Sequence, residues 1–360
     1  MRERGNALLR KADRYLGVPA CFLLGLLRRR GHAHSPFMRI ALLQMAAIGD
    51  TVMLQPVVDA IRRACPQASL EAVCSAGNLP MMKLLPGIDC IHVFHIGSPL
   101  RSLWALHGLP AFDLLLDFAP WPRISALAAA CIRAGCKVGF QRRQQYRHYV
   151  YDLAVQHSDS EHELSNYGHL LQAAGLPWDG RWPSLRAEPF RAEEPYTVLH
   201  CYPGGSSQAM RSWPPERWLE LAMRMGGRFY LTGGREDAEA AGMLAEQMRA
   251  RGLWAESVAG RFSLAETMSL LAGARLLVTV NTGIMHIGAS LGIPLVALHG
   301  ATSPLRWGPL SEKAVVLQSG EPCQPCISLG FETCCADPVC MSHITVDMVQ
   351  EAAGRALQKG

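Results

Sequence analysis

The sequence predicts an α/β protein built from two doubly wound parallel sheets, one in each of two domains. Short aliphatic runs alternate with helical patterns from residue 39 to residue 140, as a parallel sheet with helical crossovers requires. The same alternation restarts at residue 196. Between the two, Pro177, Pro183, Pro189 and Pro195 recur with Gly180, the composition of a linker. A chain of 360 residues, 49% hydrophobic and 18% charged, has room for two such domains and enough apolar side chains for two cores.

Taken in order, residues 1–37 stand apart. Arg2, Arg4, Arg10, Lys11 and Arg14 precede an uncharged stretch at 15–27, and Arg28, Arg29 and Arg30 follow it. That stretch is well short of the roughly 20 residues that span a bilayer. Basic residues on both flanks oppose a secretory signal and fit a segment lying in the cytoplasmic face of a membrane. The alternative is a helix docked on the protein. Residues 38–190 form the first expected domain. It has strands at 39–43, 70–74, 91–95, 112–118 and 137–140, and helices reaching Ala64 and over 124–134. Pro56 leads us to expect that the first of these helices begins near Gln55, leaving Asp50 in a loop. Residues 191–360 form the second domain. Its strands lie at 196–201, 228–232, 275–280, 294–299 and 314–317, with helices at 215–225, 236–250, 263–272, 283–291 and 346–357.

Two such halves imply a cleft at the carboxyl ends of both sheets, and the residues with chemistry cluster at those ends. After the first strand come Ile48, Gly49 and Asp50. Asp50 either satisfies helix N–H groups or takes a proton from an acceptor hydroxyl. The second half opens with Gly204, Gly205, Ser206 and Ser207 after a strand. This is a loop that lets a ligand approach backbone, and Arg211 is within reach of a phosphate. Gly233 and Asp237 follow the next strand, where Asp237 caps a helix or accepts ribose hydroxyls. Asn281, Thr282 and Gly283 end a strand and open a helix, a point where free N–H groups and the helix dipole attract phosphate. His286 sits one turn further on, and Thr302 lies in a second small polar loop. Two such loops fit a diphosphate.

Several classes are excluded. There is no G-x-G-x-x-G after the first strand, no P-loop and no G-x-S-x-G elbow. No Asp-x-Asp pair of the type that holds a metal-bound nucleotide sugar is present. A net charge of +5 without a basic stripe interleaved with aromatics does not point to nucleic acid.

Ile48-Gly49-Asp50 with Pro56, Gly204-Gly205-Ser206 with Arg211-Ser-Trp-Pro214, Thr232-Gly-Gly, Thr282-Gly283 with His286, and Gly300-Ala-Thr302 with Gly308-Pro309 occur in one order. In these pieces the chain resembles the lipopolysaccharide heptosyltransferases of glycosyltransferase family 9 over about residues 38–355. The resemblance implies a GT-B fold, two Rossmann-like domains facing a central cleft. It also implies an inverting transfer from a nucleotide diphosphate donor, commonly ADP-heptose, to a lipopolysaccharide core or related envelope glycan. By that resemblance Asp50 is the general base, with Ile48 and Gly49 on the acceptor side. Arg211, Thr282, Gly283 and His286 hold the donor diphosphate, and no metal is required. Asn281 departs from the aspartate that family members carry, keeping the shape and dropping the charge. The implied setting is cytoplasmic, at the inner membrane surface.

Five of the 12 cysteines cluster late in the chain, at Cys323, Cys326, Cys334, Cys335 and Cys340. Cys323, Cys326, Cys334 and Cys340 have the count and spacing of a structural zinc site; reduced thiols or a surface disulfide are the alternatives. Two rival functions remain at this point. One is another GT-B enzyme such as a nucleotide-sugar epimerase, and the other is a non-catalytic nucleotide-sugar-binding protein at the membrane.

Overall fold

The computed structural model describes residues 11, 13–27, 31–32, 36–45, 47–204, 208–327, 335 and 339–359. The chain divides into two compact units, Met1–Arg181 and Trp182–Gly360.

The first unit holds β1 (Arg39–Leu43), β2 (Ser69–Ser75), β3 (Cys90–Phe94), β4 (Phe112–Asp117), β5 (Ala134–Gln141) and β6 (Leu153–Gln156). They pair in the order β3-β2-β1-β4-β5-β6, every pair parallel. Ile40 sits opposite Leu70 on one side and Leu114 on the other. Ile40–Leu43 and Leu114–Leu116 are fully buried, because helices cover both faces of a parallel sheet and leave no solvated side. The second unit holds β7 (Tyr196–His200), β8 (Arg228–Leu231), β9 (Trp254–Ser257), β10 (Leu276–Val280), β11 (Leu295–Leu298) and β12 (Ala314–Leu317). Their order is β12-β11-β10-β7-β8-β9, again all parallel. Each unit is therefore a Rossmann-like sheet whose strand order reverses between its first and fourth strands.

The sequence reading differs from the structure at the sheet edges. The edge strands β6 and β9 were not expected, and the helix expected over 124–134 ends at Cys131. Ile132 adopts extended backbone (φ −71, ψ 130) and the chain turns directly into β5. The helix expected to begin at Gln55 is instead two helices, Ile48–Val52 and Leu54–Ala64. Pro56 brings no N–H and fits the first turn of the second helix, so the helical path is divided at Met53 and Asp50 lies inside the first piece.

Residues Gly17–Leu27 form a helix that docks on the Arg123–Cys131 helix and on the 3-10 turn Arg147–Val150. Just before it, Asp13 accepts the backbone N–H groups of Arg123 (2.8 Å) and Ile124 (3.1 Å) and pairs with the Arg123 guanidinium (3.0 Å). Pro122, the residue at the N-cap, makes no side-chain capping bond, so Asp13 supplies the cap from elsewhere in the chain. Among the described residues no helix is long and apolar enough to cross a membrane.

Candidate functional site

In the first unit the switch point lies at the carboxyl ends of β1 and β4. The turn after β1 is tied from several directions. Gln44, fully buried, donates its side-chain amide to Tyr167 Oη (2.7 Å). Asn78 donates to Gln44 O and to Thr51 Oγ1 (both 2.8 Å), and its own carbonyl accepts the Ser75 N–H (2.9 Å). Tyr167 Oη also reaches the carbonyl of Asp50 at 3.4 Å. Ile48 and Gly49 open the short helix, and Asp50 Oδ2 accepts the N–H of Ala47 (3.0 Å). The Asp50 carboxylate is thus held at a helix N-terminus beside the first crossover, half-buried.

At the end of β4, Asp117 is fully buried. Its Oδ2 accepts from Arg147 (2.7 Å), Ser125 Oγ (3.1 Å) and Tyr151 Oη (2.6 Å), and Oδ1 accepts the N–H of Ala119 (3.0 Å). Arg147, also fully buried, reaches Ala119 O as well. A buried ion pair satisfied on this many sides fixes the loop after β5.

The second unit's switch point lies at the carboxyl ends of β7 and β10, and it gathers most of the expected donor residues. Arg211 donates to Gly204 O (2.6 Å) and Asn281 O (3.3 Å), bridging the loops that follow those strands. Asn281 donates its side-chain amide to Thr302 Oγ1 (2.6 Å), which joins the loop after β11 to the same cluster. Thr282 is the N-cap of the Gly283–Ser290 helix and makes no side-chain capping bond. Its Oγ1 is buried without a hydrogen-bond partner among the described residues. No acidic residue occupies the first turn of this helix, whose N–H groups carry the positive end of the dipole, and His286 is buried one turn along. Gly233 and Asp237 are one strand away, after β8. There Asp237 Oδ2 accepts the N–H of Gly234 (2.8 Å), and burial raises its carboxyl above the ordinary range. Gly205, Ser206 and Ser207 lie outside the described residues.

Two histidines that the sequence reading did not single out support this cluster. His200 Nδ1 meets Thr232 Oγ1 at 2.9 Å, and His299 Nδ1 lies 3.4 Å from both Asn281 Nδ2 and Thr302 Oγ1. Burial pushes both down to about 4, so both rings are neutral at neutral pH. A polar residue that closes an apolar parallel strand, as His200, His299 and Asp117 do, is the signal that marks them.

Among the described residues, the group close enough together to hold a metal is Glu71, Cys90 and His92 on β2 and β3. Glu71 already pairs with Arg39 and with His92 Nε2 (2.7 Å). Cys323 and Cys326 precede the undescribed stretch 328–334 that contains Cys334. Cys340 is buried further on, in the Val339–Ser342 helix.

Residues 109–334 match the profile of glycosyltransferase family 9 (heptosyltransferase), well over half of the chain. The chain is 36% identical over 337 residues to lipopolysaccharide heptosyltransferase 1 of Pseudomonas aeruginosa, covering 87% of this chain and 92% of that protein. It belongs to glycosyltransferase family 9. Solved members share the architecture. The E. coli ADP-heptose LPS heptosyltransferase II superposes with a TM-score of 0.70 at 23% identity, over 89% of this chain and 99% of that one. E. coli heptosyltransferase WaaC with ADP-2-deoxy-2-fluoro heptose superposes at 0.66 and 20% identity, over 87% and 98%. This family 9 chain is therefore a glycosyltransferase of GT-B fold and heptosyltransferase type, and the epimerase and non-catalytic readings give way to that assignment.

Proposed function

We propose that the chain transfers heptose from ADP-heptose, with inversion, to a lipopolysaccharide core acceptor. The observation that carries the donor half is the meeting of Arg211, Asn281, Thr302 and the Gly283–Ser290 helix N-terminus at the switch point of the second sheet. A guanidinium and free N–H groups stabilise the charge that develops on a departing diphosphate, so the residues themselves supply what a metal would otherwise supply. Asp50, anchored at the switch point of the first sheet, is the base that removes the acceptor proton. Ile48 and Gly49 line the acceptor side. Gly204, Gly205, Ser206, Ser207, Gly233, Asp237, Thr282, Gly283 and His286 complete the donor side. Support for the donor identity is that the WaaC structure was solved with a fluorinated ADP-heptose.

The same reading includes work at the cytoplasmic surface of the inner membrane, supported by the basic residues flanking 15–27. It also includes a structural zinc on Cys323, Cys326, Cys334 and Cys340, carried by their count and spacing alone, since Cys323, Cys326 and Cys340 do not lie within reach of a shared metal in the structure. Metal analysis of the purified chain is expected to return one zinc per chain, lost when Cys323 and Cys326 are both replaced by serine.

The deciding experiment incubates the purified chain with ADP-heptose and a heptose-deficient lipopolysaccharide core. ADP release that requires the acceptor, together with an acceptor heavier by one heptose, is expected. ADP-heptose that stays intact with acceptor present, while another nucleotide sugar is consumed, would replace the donor.

A further inference from the structure

The Gly17–Leu27 helix has its small side inward. Gly17 and Cys21 are buried, and a Cβ on Gly17 would meet Arg123 Cβ at 2.9 Å. A Cβ on Gly25 would meet the Tyr149 carbonyl at 2.6 Å, so only glycine lets the helix sit this close. Leu24 packs against the core beside them, and the other leucines point the other way. Leu23, Leu26 and Leu27 are 58, 67 and 82% exposed, and Leu16 just before them is 71% exposed. A helix docked on a protein is expected to put its leucines inward and polar residues outward; here the outward face is as apolar as a core face. The Pro99–His107 helix, which packs on the same Arg123–Cys131 helix, adds Leu100 (80% exposed) and Trp104 (79% exposed) one turn apart. The two helices approach each other across a cavity of about 340 Å³ that Leu24, Leu27 and His107 share, with Arg133, Lys137 and Asp152 also in its wall, Asp152 accepting the N–H groups of Gly31 and Lys137.

We infer that this face is a membrane-docking surface, seated in the interface of an anionic bilayer. The inference rests on the membrane-surface part of the reading above and names the surface responsible. Charge selects the occupant. From residue 11 to residue 36 Asp13 is the one acidic residue in the sequence, and it is committed to Arg123. The Pro99–His107 and Arg123–Cys131 helices contain no acid at all. Lys11, Arg14, Arg101 and Arg133 are exposed around the leucines and Trp104, and Arg28, Arg29 and Arg30 follow the helix in sequence. Leucine and tryptophan at headgroup depth with cations around them fit anionic lipid, where each basic residue near the surface adds to the attraction. The docked helix orients the first unit on the bilayer, because it is keyed to the domain by its glycine face.

The test is vesicle flotation of the full-length chain on phosphatidylglycerol–phosphatidylethanolamine and on phosphatidylcholine vesicles. The wild type, Leu26→Glu/Leu27→Glu and Leu100→Glu/Trp104→Glu are compared. All four side chains are exposed, so the variants are expected to keep the wild-type melting temperature. Wild-type binding to anionic vesicles, weakened more than about tenfold in each variant, is the expected result. Quenching of tryptophan fluorescence by brominated lipid, lost in Trp104→Phe, is the matching sign of insertion. Wild-type binding that both variants retain would overturn this face while keeping the membrane reading. Absence of wild-type binding would overturn the membrane reading and the face together. A self-associated protein that the glutamate variants render monomeric, without vesicle binding, would assign the face to a second copy of the chain.

Discussion

In the first unit the polar groups around the switch point are bound to one another. Gln44, Asn78, Thr51 and Tyr167 tie the turn after β1, and Asp117 with Arg147 locks the end of β4. In the second unit the corresponding turn after β10 has Thr282 without a side-chain cap, and Arg211 spans two loops by donating to the carbonyls of Gly204 and Asn281. The same strand order thus carries two different sites. One is a rigid support for a single carboxylate, and the other is a set of donors suited to an anion. The comparison teaches that sheet topology fixes where a site lies, while the local polar bonding decides which charge it serves.

Removing the carboxylate tests the first half most severely. Asp50→Ala is expected to lower the transfer rate by roughly 10²- to 10⁴-fold while ADP affinity, read by calorimetry, stays within twofold. Transfer at the wild-type rate would remove Asp50 from the role of base.

Acid pH separates the units by stability. His200 and His299 both lie in the second unit and titrate near 4 when folded, against 6.5 unperturbed. The unfolded chain takes up protons first as pH falls, so their contribution is complete above about 6.5 and is lost progressively down to about 4. Each is worth up to about 3 kcal/mol at neutral pH. The first unit has the buried Glu71 instead. Burial opposes its ionised form, but bonds from His92 and Arg39 outweigh that and hold its carboxyl below 4.5, so that contribution survives to lower pH. Urea midpoints from pH 7 to pH 4.5 should fall mainly for the second unit, and His299→Gln should flatten the slope.

Arg211→Ala is expected to weaken ADP binding roughly 10- to 100-fold, since it removes a charge-assisted contact and the tie between two loops. The smallest effect is expected from Asn281→Asp. Asn281 donates to Thr302, and a carboxylate there must accept instead, adding negative charge beside the donor loop. A roughly fivefold or smaller loss of ADP affinity is expected, measured by the same calorimetry.

Much of this was legible in the sequence where burial was complete. The inner strands β1, β4, β7, β10 and β11 read as aliphatic runs because both faces of each are covered. The missed strands β6 and β9 are four-residue edge strands that are only partly buried, so no apolar run announces them. Among the described residues, Gly204, Arg211, Asn281, Thr282 and Thr302 could be singled out because each follows the end of an aliphatic strand. Their supports could not. Tyr167 lies 123 residues from Gln44 and Arg147 lies 30 from Asp117, and nothing local to any of these marks its partner. The docked N-terminal helix was hidden for a different reason. Its inward face is made of glycine and cysteine beside a single leucine, Leu24, and a hydrophobicity pattern draws the eye to the leucines that face out.

That inverted helix sets how this chain can vary. Positions 17 and 25 are confined to glycine by the Arg123 side chain and the Tyr149 backbone, and position 21 is buried and holds a cysteine. Positions 16, 23, 26 and 27 are mostly exposed and should drift among leucine, isoleucine, phenylalanine and methionine without ever becoming acidic. Among natural variants the strictest positions of the segment would then be its smallest residues, and its most conspicuous ones would be the most interchangeable.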